Sequence, residues 1–234
     1  MGSMGSTIDV YLEVGSQRTF AGAIDWPGWC RSGDEAGAHE ALVRHGARYA
    51  VALAAAGVPF GSPVDAGAFA VVERLRGGSG TDFGVPSVPL STDDASLDEA
   101  ELGRQAAILR AAWAALDAAA LRHAADELRK GPRGGGRDLA KIVAHVREAD
   151  EAYLVQLGAR PPRAGPDPSA MTGLREAAIA ALRARVLGLP VERPSRATRP
   201  WTPRGYVRRA AWHALDHAWE IEDRAIPRAE AGGG

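Results

Sequence analysis

Leu102, Ala106, Leu109, Trp113, Leu116 and Ala120 follow one another at alternating spacings of four and three residues. That spacing lays one apolar stripe along a helix, and such a stripe is buried by packing against other helices. Ser96, Leu97 and Asp98-Glu99 mark the start of this helix, and it is predicted to end near Lys130, before Gly131-Pro132. After a turn at Gly134-Gly135-Gly136, a second helix is predicted over 138–157, with a stripe of Leu139, Ile142, Val143, Val146, Tyr153 and Leu157. A Pro-rich loop over 160–168 leads to a third helix over about 169–187. A polar, Pro-bearing connection over 190–200 leads to a fourth. Thr202-Pro203 supplies its N-cap and first helical position, and it ends before Pro227. Four amphipathic helices of this length pack most naturally as an antiparallel bundle.

The preceding residues follow a different rule. Residues 7–14 are β-rich with partial alternation, Gly15-Ser16 makes a turn, and 18–24 reads as a second strand of a hairpin. Asp25-Trp26-Pro27-Gly28 breaks the sheet. Ser32 or Asp34 caps a helix over 35–56, whose Ala38, Ala41, Leu42, His45, Tyr49 and Leu53 share one side, and Gly57-Val58-Pro59 ends it. Residues 69–74 read as a further strand. Gly77 to Gly80, Pro86 and Pro89 mark loops. The expected fold class is α+β: a small antiparallel sheet with a helix over 7–90, then an antiparallel four-helix bundle over 91–226.

Composition narrows the function. The 234 residues carry a formal net charge of −1, with 46% hydrophobic and 24% charged residues. That is ordinary globular composition without the electrostatic footprint of a general nucleic-acid binder. No run of about 18 apolar residues is present, so no membrane span is expected. Residues 1–6 lack the basic-then-apolar pattern of a signal peptide. Cys30 is the single cysteine, which excludes an intramolecular disulfide and a Cys-rich zinc site and fits a reducing cytoplasm. The closing Gly232-Gly233-Gly234 is expected to lack order.

The residues suited to chemistry are histidines. His213 and His217 stand four apart on the fourth helix, one above the other, where both can reach one metal ion. Neutral imidazole ligates zinc, nickel or iron. Such a pair also arises by chance, as a half-buried pair without a ligand. Its position argues further: Ala210, Ala211, Ala214, Ala218 and Ile221 form the apolar stripe, and both histidines flank it. Glu220 falls on the same flank. His145 flanks the stripe of the second helix, above Ala149 and Ala152. Adjacent bundle helices bring two such flanks together, and three histidines leave coordination positions open to water or substrate. Trp113 and His123 read as core residues, His123 with a capping role open to it. His39 and His45 stand six apart, which disfavours a shared metal. Cys30 has no visible activator. Trp26-Pro27-Gly28-Trp29 packs under the hairpin or contacts a ligand.

Residues 138–146, followed by Glu148-Ala149 and Tyr153-Leu154, resemble the second helix of DinB-like bundles. Arg208-Arg209-Ala210-Ala211-Trp212-His213-Ala214-Leu215-Asp216-His217-Ala218-Trp219-Glu220 resembles their fourth. The resemblance covers about 97–224. It implies a divalent metal, zinc, nickel or iron, held by His145, His213 and His217. It also implies a small-molecule substrate and an activity such as transfer or isomerisation with a low-molecular-weight thiol of the mycothiol type, or hydrolysis. The metal would act as a Lewis acid or hold the nucleophile. Glu220 would be a general base or would orient a ligand, the alternative being a solvated carboxylate. The N-terminal block, with its two strands, the turn Asp25-Trp26-Pro27-Gly28 and Gly33-Asp34-Glu35-Ala36 before an Ala-rich helix, resembles a HicB-type module. That implies antitoxin-like binding of a protein partner. Other roles open to this block are covering the bundle, walling a substrate pocket or making a homodimer contact. The competing readings are therefore a metal-dependent enzyme, a non-catalytic partner-binding protein with the bundle as scaffold, and a metal-stabilised bundle without catalysis.

Overall fold

A computed structural model of the chain describes residues 7–130, 136–163, 169–191 and 200–226. The expected turn at 134–136, most of the loops over 160–168 and 190–200, and both termini lie wholly or largely outside these residues. The fold is α+β, with a sheet in the N-terminal part and helices in the C-terminal part. The chain divides into two compact units. One comprises residues up to Ala111 with Thr202–Trp212, and the other Ala112–Trp201 with the residues from His213 on.

The first unit holds strands β1 (Ile8–Val14), β2 (Thr19–Ala23), β3 (Cys30–Gly33) and β4 (Phe69–Arg76) in the order β3-β2-β1-β4. The expectation of an antiparallel sheet needs correction. β1 and β2 form the predicted antiparallel hairpin, but β4 pairs parallel to β1, with a register shift between Val10 and Tyr11. The reason is the helix α1 (Glu35–Ala54), which returns the chain to the far edge so that β4 runs in the direction of β1. β3, not evident from its own residues, pairs with β2. Asp34, rather than Ser32, caps α1, accepting from the Gly37 N–H at 2.7 Å. Asp34→Ala is expected to lower the unfolding free energy by about 1 kcal/mol, read from denaturant midpoints at constant slope.

Both faces of this sheet are covered. Trp29 is fully buried, stacks on Tyr49 and donates from its indole N–H to the Leu42 carbonyl at 3.0 Å. The Trp26–Trp29 turn therefore belongs to the core at Trp29. On the other face Tyr11, Phe20, Cys30, Leu90 and Trp212 form a cluster. Gly22 is required there, because a Cβ at this position would lie 2.5 Å from the Tyr11 ring. The stretch read as loops includes a short helix, α2 (Ser79–Phe83). The buried Glu13 carboxylate fastens it, accepting from Thr81 Oγ1 at 2.5 Å and from the Ser87 and Val88 N–H groups at 3.1 and 3.2 Å.

Helix α3 (Glu99–Arg122) begins within the stretch predicted to start it, at Asp98, whose carboxylate accepts from the Glu101 N–H at 2.8 Å. It stops at Arg122, earlier than the predicted end near Lys130. The sequence holds no breaker there. A turn closed by His123 Nδ1–H donating to Asp126 at 2.7 Å takes over, and β5 (Glu127–Leu128) pairs with β6 (Ala225–Ile226).

The rest of the second unit is helical: α4 (Leu139–Leu157), α5 (Ser169–Val186) and α6 (Pro203–Arg224), with α3 and α6 contributing to both units. Asp138 caps α4, accepting from the Lys141 N–H at 2.8 Å, and Gly158 ends it with φ +94°, a conformation that favours glycine. α6 opens as predicted, with Thr202 Oγ1 accepting from the Gly205 N–H at 3.1 Å. Leu116 and Ala119 of α3, Ile142 and Val146 of α4, and Ala218 and Ile221 of α6 form one buried cluster. The buried face of α4 differs from the stripe read from the sequence. It comprises Ile142, Val146, Asp150, Leu154 and Leu157, so an aspartate sits at its centre and Tyr153 lies beside it.

Candidate metal centre

His145 precedes Val146 by one residue and His217 precedes Ala218 by one. Both apolar neighbours belong to the cluster just described, so packing α4 against α6 brings the two imidazoles together. His213 follows one turn earlier on α6. The three rings meet edge to face, with centroids 5.1 Å apart for His145–His213 and His145–His217 and 4.6 Å for His213–His217. One ligand nitrogen from each lies within 4.8 Å of the others, and among the described residues no other group of three or more His, Cys, Asp or Glu is so placed. His213 and His217 are 7% and 8% exposed, and His145 is half-buried. The site is thus reachable on the His145 side.

The donor set fits a divalent cation. Three nitrogens at ~2.0–2.1 Å from a tetrahedral ion stand roughly 3.3 Å apart, so nitrogens within 4.8 Å of one another would draw somewhat closer to hold one. The second layer supports the same conclusion. His217 Nδ1–H donates to Glu220 Oε2 at 2.7 Å, which fixes the tautomer and leaves the Nε2 lone pair free for a metal. The other Glu220 oxygen accepts from Arg224, which also donates from Nε to the Arg129 carbonyl at 2.8 Å and from Nη2 to the Arg137 carbonyl at 3.0 Å. Burial opposes ionisation of Glu220, but the hydrogen bonds and charges of His217 and Arg224 outweigh it and hold the carboxyl below its ordinary range. Burial, with the charges of Arg137 and His217, depresses His145, against a smaller pull from Glu148 and Glu220. A depressed imidazole is neutral at pH 7, the form that binds metal.

Two neighbours were not read from the sequence as site residues. Tyr153, assigned to the core stripe, stands edge-on to His213 with centroids 5.6 Å apart and against Trp201 at 5.4 Å. Its signal was available, because His145, Ala149 and Tyr153 repeat every four residues on one face. Arg224, four residues past Glu220, follows the same rule.

The chain matches no protein-family model, no curated protein and no solved structure. Among the described residues no helix is long and apolar enough to cross a membrane.

The remaining candidates are accounted for locally. His45 Nδ1–H donates to the Ala41 carbonyl at 2.9 Å, and His123 pairs with Asp126. Trp113 is buried under the Arg175 guanidinium, 5.5 Å from the ring centre. Cys30 is buried, and burial, with a contribution from Glu13 and against the Tyr11 hydrogen bond, pushes its thiol up to about 12. It is not a nucleophile at neutral pH.

Proposed function

We propose that this chain is a metal-dependent enzyme of the DinB-like kind. In this reading α3, α4, α5 and α6 are the helices of an antiparallel four-helix bundle, and His145, His213 and His217 hold one divalent ion, zinc, nickel or iron. The observation that carries it is the convergence of three imidazole nitrogens with a carboxylate already orienting one of them. Three protein ligands leave positions for a small-molecule substrate, and a bound ion supplies Lewis acidity to a substrate oxygen or sulfur.

The chain's own residues define the rest. Glu220 keeps His217 in the Nδ1–H tautomer, and Arg224 keeps Glu220 ionised. With both oxygens engaged, Glu220 serves as a positioning residue rather than as a general base. Tyr153 and Trp201 give the His213 side an aromatic border. A low-molecular-weight thiol of the mycothiol type is the proposed cosubstrate, for S-transfer or isomerisation; hydrolysis is the alternative outcome of the same screen. Glu220→Gln is expected to weaken metal affinity roughly 10- to 100-fold, measured by competition with a chromophoric chelator. Unchanged affinity would remove Glu220 from the site. A thiol-conjugation screen on the metal-loaded, tag-free protein tests the activity; turnover lost in His213→Ala supports it, and turnover retained in that variant refutes it.

A second reading concerns the HicB-like N-terminal unit. β4 is an edge strand, and its Val72 is 53% exposed. An edge strand that exposes Val71 and Val72 suits strand addition by a protein partner, with the helical unit as scaffold. This reading is antitoxin-like and needs no metal. Recovery of a specific partner that is lost on Val72→Lys would favour it.

A further inference from the structure

Away from the histidines, the second unit contains a buried polar cluster that the proposed chemistry does not use. Asp150 lies on the core face of α4 between Val146 and Leu154 and is 3% exposed. Neither of its carboxyl oxygens has a hydrogen-bond partner among the described residues. The Trp113 indole N–H on α3 and the Arg175 Nε–H on α5 are likewise buried without a bonded acceptor. Arg175 does not pair with Asp150. It directs Nη1 and Nη2 to Asp117 at 2.5 and 2.9 Å, while its guanidinium lies over the Trp113 ring. One cation thus faces two carboxyl groups, and the exposed one, Asp117, whose side chain is 59% exposed, takes its hydrogen bonds.

We propose that Asp150 is a buried proton-binding site on the core face of α4 between α3 and α5, and that the packing around it is tight when it carries its proton and loosens when it ionises. A carboxylate without hydrogen bonds in an apolar setting is costly enough that the group keeps its proton instead. The neutral acid has one O–H to donate and a carbonyl oxygen that accepts, which suits a stripe of Val146 and Leu154 beside an indole N–H. The groups that act on it are Arg175 from α5 and Trp113 and Asp117 from α3. Burial pushes Asp150 up to about 7; the Arg175 charge and the dipole of the nearby Trp113 indole N–H, which makes no full hydrogen bond to it, oppose this, and Asp117 adds to it. The folded value thus stands above the ordinary 3.8. The stability contributed by the protonated group is complete below that ordinary value. It is lost progressively as pH rises to about 7, and the loss is constant above. The second unit is therefore tighter on the acid side of neutrality than on the alkaline side.

Carboxyl-carbon NMR titration of the full chain tests this without any variant. One aspartate signal is expected to titrate with a midpoint of about 7; a wild-type spectrum in which every aspartate titrates in the ordinary carboxylate range overturns the proposal. Asp150→Asn removes that signal. Arg175→Gln moves the midpoint up and Asp117→Asn moves it down; the opposite shifts would contradict the assigned neighbours. In thermal melts the advantage of Asp150→Asn over the wild type should grow by several degrees from pH 5 to pH 8. A difference that is the same at both pH values also overturns it.

Discussion

Alanine in place of His217 is expected to weaken divalent-metal binding by two to three orders of magnitude. Structural zinc sites with four ligands bind with apparent free energies of about 10–16 kcal/mol, so one ligand is worth about 3–4 kcal/mol, or roughly 100- to 1,000-fold. His213→Ala and His145→Ala should show losses of the same order, because each removes one of three converging nitrogens. The effect of Glu220→Gln should be smaller, since that change leaves all three ligands and disturbs only the orientation of one. His123→Ala is the internal control. Its ring is bonded to Asp126, and its removal should leave metal affinity unchanged.

The second large effect lies in the first unit. Arg208 donates to both oxygens of buried Asp93, with Nη2 to Oδ2 at 2.7 Å, and its guanidinium lies 5.7 Å from the centre of the Tyr11 ring. The same carboxylate accepts from the Leu90 N–H at 2.8 Å. Burial disfavours the Arg208 cation, but its hydrogen bonds to Asp93 and the charge of that carboxylate more than compensate, and Arg208 stays ionised. Arg208→Met keeps the stem but strands the carboxylate, and removing one partner of a buried pair costs about 3–5 kcal/mol. The denaturant midpoint should fall accordingly. The double variant Arg208→Met, Asp93→Leu should recover much of that loss, because no charge is then left buried without a partner.

Much of the helical part was legible in the sequence because its signals are local. Asp138 and Thr202 announce the starts of α4 and α6, and the alanine stripe of α6 marks its buried face. The three histidines stand where period and flank place them. What escaped depends on residues far apart in the chain. Nothing near Arg208 indicates Asp93, and nothing near Glu13 indicates the Ser87 amide. The parallel pairing of β4 with β1 follows from the route of α1 and not from the composition of either strand. α3 ends at Arg122 because β5 finds a partner in β6, a choice made by tertiary pairing over helix propensity. Asp150 is hidden for a physical reason as well: a charged residue type does not fit the pattern of an apolar stripe, and it occupies this one by keeping its proton.

Elemental analysis of tag-free protein, alongside a variant with alanine at His145, His213 and His217, tests the metal centre most directly. One divalent ion per chain in the wild type, absent from the triple variant, is the expected result. Equal metal content in the two proteins, or none in the wild type after exposure to zinc, nickel and ferrous iron, would contradict it.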